Sequence, residues 1–175
     1  MNTKNMGNDG WTLLELMTVI ALIGILAAFT DRSMQDYALS LRLQGAVDMI
    51  GTDIRKARHS VFTTSEPYHI DFEPTTRTYF VNDANRIKLP EGISFGTAPG
   101  VTGKPSDAYK APPKDGISFK AEGGENRANF LTKGLVIPTG AVYLTNGRET
   151  MAITVSLNGH TNFWRSNGGS KWVEL

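Results

Sequence analysis

The sequence predicts an α+β protein in which one long N-terminal helix precedes a domain of antiparallel strands. Three observations lead to this prediction. Apolar residues run almost unbroken to Phe29 and then recur every three or four positions as far as Val61, which is the spacing of a helix. From Tyr68 onward apolar and polar residues alternate, which is typical of strands. No proline occurs before Pro67, so nothing in the sequence interrupts the helix.

The first half of the predicted helix carries a single charge within a long apolar run. From Leu13 to Phe29 the residues are apolar apart from Glu15, one threonine and one glycine. As a helix, residues 11–30 would be about 30 Å long, which is enough to cross the core of a bilayer. A carboxylate inside a bilayer costs roughly 2.5–3.5 kcal/mol on insertion scales, so we expect Glu15 to have a function. The alternative is that Glu15 lies close enough to the membrane surface to reach water.

A cleaved secretory signal would also be apolar. Ala27 and Ala28 would suit its cleavage site, which requires small residues. However, the apolar run is long, only Lys4 supplies a basic start, and the helical spacing continues past Ala28. We therefore favour a retained membrane segment over a removed signal.

The second half of the helix, residues 31–62, is predicted to be amphipathic. Its apolar residues form one stripe, and its charged residues mostly lie off that stripe. The stripe consists of Leu39, Leu43, Val47, Ile50, Ile54, Ala57 and Val61. We expect it to pack on the strand domain, with a coiled-coil partner as the competing explanation.

Residues 63–175 are expected to form a β-rich head. Alternation in Tyr68–Glu73 and again in residues 77–82, around a turn at Pro74, predicts a hairpin. Asn158-Gly159 predicts a tight turn between the last two strands. Residues 97–116 are rich in proline and glycine and are predicted to form a long surface loop. The other predicted strands are 93–95, 117–120, 134–137, 141–144, 151–157 and 161–165.

The composition narrows the range of functions. The chain has no cysteine, which excludes disulfides, thiol chemistry and cysteine-ligated zinc. Its formal net charge of +1 differs from that of a strongly basic nucleic-acid binder. His59, His69 and His160 are scattered along the chain, and no motif of a known catalytic type is present. We therefore predict a protein that is not an enzyme, with no catalytic residues, no metal site and no cofactor. Weak calcium binding near Asp107 and Asp115 is the alternative, although these residues lack the dense acidic spacing that a calcium site favours.

The N-terminal residues resemble the processing signal of type IV prepilins. Gly10-Trp-Thr-Leu-Leu-Glu-Leu-Met opens the apolar helix, with Trp11 where the family usually has phenylalanine. The resemblance implies that residues 1–10 are a leader peptide. It also implies that prepilin peptidase cuts between Gly10 and Trp11 and methylates the new amino group of Trp11. In an assembled filament, Glu15 would pair with that amino group on a neighbouring subunit, because an unpaired charge in a low-dielectric helical bundle is costly.

The later sequence resembles, more loosely, the GspH/FimT class of minor pseudopilins. The similar parts are the helix end Asp53-Ile-Arg-Lys-Ala-Arg, the segment from Phe130 to Gly134, and the terminal hairpin that begins Ile153-Thr-Val-Ser-Leu-Asn-Gly. The resemblance implies a pilin fold, with the long helix packed on an antiparallel sheet. It implies a structural minor pseudopilin of a type II secretion system, anchored once in the bacterial inner membrane with its head in the periplasm. The implied partners are prepilin peptidase, other pilin or pseudopilin subunits, the inner membrane and, as a further candidate, a secreted substrate.

A minor type IV pilin, with or without a role in DNA uptake, is the alternative. Some proteins of this class capture DNA. Arg148, Arg165 and Lys171 would contact phosphates, and Trp164 and Trp172 would stack on bases. This set is sparse, and a core position explains Trp164 equally well, so DNA is the less favoured partner.

Overall fold

The computed structural model describes residues 11–175 apart from 84, 107, 108 and 122, and for residues 28–33 and 85 it describes the backbone only. The predicted leader, residues 1–10 with the cleavage residue Gly10, lies outside the described residues. The chain divides into two compact units, and the division falls between Ala38 and Leu39.

One long helix, α1, extends over Leu13–Thr64. It begins after Thr12, whose hydroxyl oxygen accepts a hydrogen bond of 3.2 Å from the N–H of Glu15, as an N-cap residue does. It ends at Thr64, and the next residue, Ser65, has a φ of 59° and donates its N–H to the carbonyl of Val61 at 3.0 Å. The predicted long helix is therefore confirmed, and its bounds differ from the prediction by two or three residues.

No helix in the described part of the chain is long and apolar enough to cross a membrane. The predicted membrane segment, residues 11–30, includes residues whose side chains lie outside the description.

The second unit, from Leu39 onward, contains two antiparallel sheets, where a single sheet was predicted. Sheet 1 consists of β1 (Tyr68–Glu73), β2 (Thr78–Val81), β3 (Asn85–Lys88), β5 (Arg127–Leu131) and β6 (Leu135–Ile137). Sheet 2 consists of β4 (Ser94–Phe95), β7 (Gly140–Thr145), β8 (Thr150–Val155), β9 (Thr161–Ser166) and β10 (Val173–Glu174). The strand order is β3-β2-β1-β5-β6 in sheet 1 and β10-β9-β8-β7-β4 in sheet 2.

Both predicted hairpins are present. In the first, β1 pairs with β2 so that Ile70 lies opposite Val81. In the second, β8 pairs with β9 around a turn in which Gly159 has a φ of 71°. That positive φ explains why glycine follows asparagine at this turn.

The predicted loop, residues 97–116, contains no strand among its described residues. It is nevertheless held in place by the C-terminal segment. Val101 forms a parallel bridge with Gly169, and the indole N–H of Trp172 donates to the carbonyl of Gly103 at 2.8 Å. This loop is therefore packed against the sheet domain along part of its length.

The prediction of a strand at residues 117–120 is wrong. Ile117 forms only an isolated bridge with Val142. At the next position the hydroxyl of Ser118 accepts a hydrogen bond of 2.6 Å from the N–H of Ala141. Because a serine side chain can take the place of a backbone partner, the ladder does not continue here.

The hydrophobic core lies where α1 meets both sheets, and it forms one buried cluster. The stripe on α1 is buried from Leu43 to Val61, each residue being at most 1% exposed, and Leu39 is half-buried. Burying each large side chain stabilises the fold by about 1.5–3 kcal/mol. The stripe is thus covered by the protein's own sheets, so no partner helix is needed to bury it.

Candidate functional site

The first part of α1 has apolar side chains on all sides. The large apolar residues from Leu13 to Leu26 are 37–78% exposed. Since successive residues in a helix are about 100° apart, these positions cover its whole circumference. A helix that is apolar all round is normally buried in a larger core or in a membrane.

Glu15 is the one charged residue between Leu13 and Thr30. Its N–H bonds to both the carbonyl and the hydroxyl oxygen of Thr12, which places Glu15 at the third position of the helix. Thr12 and Glu15 therefore have the spacing of a capping box, a helix-start pattern that is present in the sequence but is not among the features predicted from it. Within residues 11–175, as far as they are described, the Glu15 carboxylate makes no hydrogen bond or ion pair.

Trp11, the predicted new N-terminus, lies one residue before the cap and is 72% exposed. Gly10, the residue on the other side of the predicted cleavage site, is outside the described residues.

The structure brings two of the three predicted DNA-contacting residues together. Arg165 and Lys171 line a depression of about 410 Å³ beside the C-terminal strand, whereas Arg148 in the turn between β7 and β8 does not line it. Arg165 Nε lies 3.5 Å from Glu149 Oε2, so part of the positive charge is already balanced.

The two tryptophans pack against the outer face of sheet 2. Trp164 Nε1 donates to Thr154 Oγ1 at 3.0 Å, and the ring of Trp172 makes an edge contact with Tyr143 at a centroid distance of 5.8 Å. Burial, together with the nearby Tyr109, raises the pKa of Tyr143 to about 12, so this phenol is neutral at physiological pH. Both indoles are half-buried in this cluster, which does not favour stacking on bases.

A cluster that sequence spacing did not predict lies on the outer face of sheet 1. His69 and Asp71 alternate along β1 with Ile70 and Phe72, which are buried in the core, so both polar side chains lie on the opposite face. The pattern His-x-Asp on a strand is the signal in the sequence that places these two side chains together.

The third member, Asp83, belongs to the turn between β2 and β3. Two hydrogen bonds hold this turn against β1: the N–H of His69 donates to Asn82 Oδ1 at 2.9 Å, and the N–H of Asn82 donates to the carbonyl of His69 at 3.0 Å. His69 Nε2 consequently lies 3.1 Å from Asp83 Oδ2 and 3.5 Å from Asp71 Oδ2. The turn therefore brings a second carboxylate to the histidine.

Arg127 of β5 lies directly opposite Asp71 and binds the same carboxylate. Its Nη2 donates to Asp71 Oδ2 at 3.0 Å, and its Nε donates to Oδ1. This hydrogen bonding raises the pKa of the Arg127 guanidinium. The two-point contact fixes the orientation of Asp71 next to His69.

Comparison with known proteins found no match: no family model fits the chain, and no curated protein or solved structure is similar enough to be matched to it.

Proposed function

We propose that this protein is a structural, non-enzymatic subunit of a pilin-like filament, namely a minor pseudopilin of a type II secretion system. The observation that carries the proposal is the start of α1. The first part of α1, from Leu13 to Leu26, is capped at Thr12 and apolar on all sides, and its single carboxylate, Glu15, has no partner within the described residues.

Such a helix needs a surrounding that removes its apolar surface from water. In the proposal this surrounding is the inner membrane before assembly and the helices of neighbouring subunits afterwards. The Glu15 carboxylate would then be desolvated, and the amino group that cleavage creates at Trp11 of a neighbour would neutralise it. A pilin fold, with the head in the periplasm, is part of this proposal.

The proposed partners are prepilin peptidase, other pseudopilin subunits and the inner membrane, with a secreted substrate as a further candidate. A minor type IV pilin is the alternative, because the same helix would serve either filament. The half-buried positions of Trp164 and Trp172 give no support to the DNA-uptake version of that alternative.

Mass spectrometry of the protein from membranes of a cell that contains prepilin peptidase tests the processing step. We expect an N-terminus at Trp11 that carries a methyl group. Deletion of the peptidase should leave residues 1–10 attached. An intact N-terminus in the presence of the peptidase, or a cut near Ala28, would overturn the proposal.

Replacement of Glu15 tests the assembly step. Glu15→Ala should still be processed but should fail to cross-link with the other filament subunits, because the amino group of Trp11 loses its counter-charge. Glu15→Gln is the matched control, since glutamine keeps the capping-box pattern but has no charge. If Glu15→Gln assembled normally while Glu15→Ala did not, Glu15 would act only in capping α1, and the pairing role would be wrong.

A further inference from the structure

We propose that His69, Asp71 and Asp83 form a binding site for a divalent metal ion of the zinc type on the outer face of sheet 1. The proposal does not depend on the filament function, because none of these residues belongs to the segment that carries it.

The spacing of the three side chains is close to what tetrahedral coordination requires. Zinc binds histidine nitrogen and carboxylate oxygen at about 2.0–2.2 Å, so its ligand atoms lie roughly 3.3–3.6 Å apart. The two distances from His69 Nε2, 3.1 and 3.5 Å, are close to this range. The three ligand atoms all lie within 4.8 Å of one another. The side chain of Asp83 is 75% exposed, so a rotation of that side chain can close the remaining gap without disturbing the core.

The donor set selects the class of metal. One imidazole and two carboxylates suit zinc and similar transition ions. Calcium and magnesium prefer oxygen ligands alone, so an imidazole among three donors disfavours them. Three protein ligands leave one tetrahedral position for water or for a side chain of another molecule.

The site is largely formed before any ion binds. Two ligands come from alternate positions of one central strand, and the third comes from a turn that two hydrogen bonds between Asn82 and His69 hold against that strand. Arg127 orients Asp71 by donating to both of its oxygens, including Oδ2, which lies 3.5 Å from His69 Nε2. Partners of metal-binding carboxylates commonly orient them through such hydrogen bonds. A carboxylate can accept this contact and still bind a metal, because its two oxygens offer about four lone-pair positions.

Arg127 also limits the affinity, since its positive charge opposes that of the ion. The two carboxylates and Arg127 together carry one net negative charge, so an attraction for a divalent cation remains. His69 and Arg127 also line a groove of about 640 Å³ on this face of the sheet, which gives the ion a path from solvent.

Isothermal titration of the full-length protein in detergent micelles with zinc chloride tests the proposal. We expect one equivalent of zinc to bind. Loss of a residue that only hydrogen-bonds to a metal ligand lowers metal affinity by about 10–100-fold. Because His69→Ala removes a ligand itself, it should weaken zinc binding at least tenfold. Asp83→Asn should do the same, and because this residue lies in an exposed turn, the variant is expected to fold.

His160→Ala is the matched control, because it removes a histidine that lies outside the cluster and should leave binding unchanged. Cobalt in place of zinc should give visible absorption bands for the wild type that His69→Ala lacks, and circular dichroism should show that all variants are folded. The proposal would be overturned if one equivalent of zinc did not bind. Equal loss of binding in His160→Ala and His69→Ala, or calcium binding that survives His69→Ala, would also overturn it.

Discussion

At the scale of single residues, Tyr79 links sheet 1 to α1. Its ring is fully buried, and its hydroxyl donates a hydrogen bond of 2.6 Å to Asp53 Oδ2. Burial is the largest cause of the raised pKa of Tyr79. The hydrogen bond to Asp53 and the negative charge of Asp53 raise this pKa further. The hydroxyl and the carboxylate therefore satisfy each other in a place where water has little access.

We predict that Tyr79→Phe lowers the free energy of unfolding by about 1.5–3 kcal/mol, because Asp53 loses a hydrogen bond to its charged side chain. Urea unfolding monitored by circular dichroism measures the change. Tyr68→Phe is the matched control: this half-buried tyrosine of β1 makes no hydroxyl hydrogen bond within the described residues, so its loss should change stability by less than about 0.5 kcal/mol. Equal effects of the two variants would contradict the assigned role of the bond.

The same bond predicts how stability depends on alkaline pH. The pKa of Tyr79 in the folded protein lies above its ordinary value of 10.0, so the unfolded chain loses this proton first. The contribution of Tyr79 to the free energy of unfolding is complete below the ordinary tyrosine pKa and is lost as pH rises above that pKa. The stability difference between wild type and Tyr79→Phe should therefore shrink above about pH 10, and urea titrations on both sides of that pH measure it.

At the scale of elements, the same substitution, glycine to alanine, is expected to have opposite effects on stability at two positions of α1. A Cβ atom at the exposed Gly45 would meet nothing within 4 Å, whereas one at the buried Gly51 would lie 2.6 Å from the ring of Phe163 in β9. Gly45→Ala should stabilise the protein by about 0.5–1 kcal/mol, because alanine favours the helix. Gly51→Ala should destabilise it by about 1–3 kcal/mol through overpacking.

Thermal unfolding of the two glycine variants under one set of conditions measures this difference. If Gly51→Ala were as stabilising as Gly45→Ala, the ring of Phe163 would have to move aside freely, and the close approach of α1 to β9 would not constrain the fold.

Local sequence predicted the elements whose signal is local. The period of apolar residues identified α1, and alternation with turn residues identified the hairpin of β1 and β2. Strand β3 was missed because Ile87 is its one apolar residue, and β5 was missed because the small Ala128 occupies one of its two core positions. Pairing with neighbouring strands makes these segments strands, and sequence periodicity does not report that pairing.

At the scale of the whole molecule, α1 and both sheets share one core, so we predict that residues 39–175 unfold together. Ile50→Ala, in the middle of the buried stripe, should lower the stability by about 2–5 kcal/mol. Tryptophan fluorescence reports in part on Trp164 and Trp172, which pack on sheet 2, and far-ultraviolet circular dichroism reports on secondary structure. The two methods should give the same urea midpoint. Leu41→Ala, at an exposed position of α1, should change stability by less than about 0.5 kcal/mol.

Separate midpoints for fluorescence and circular dichroism would contradict this prediction. They would mean that sheet 2 unfolds independently of the helix.

The two candidate sites differ in how far the sequence predicts them. Glu15 stands out because a single carboxylate interrupts an apolar run, and that contrast is visible in the sequence alone. The cluster around His69 is not visible in this way, since Asp83 is 14 positions from His69 along the chain. Only the register of the hairpin, which the sequence pattern leaves open, brings the two together.

The cap at Thr12 has a consequence for the order in which a subunit would mature. The proposed scissile bond between Gly10 and Trp11 lies upstream of the first helical residue, Leu13. Cutting it would therefore break none of the backbone hydrogen bonds that begin α1 at Thr12. A newly cut subunit would keep its helix without an unwinding step, and entry into a filament would not have to wait for the helix to fold again.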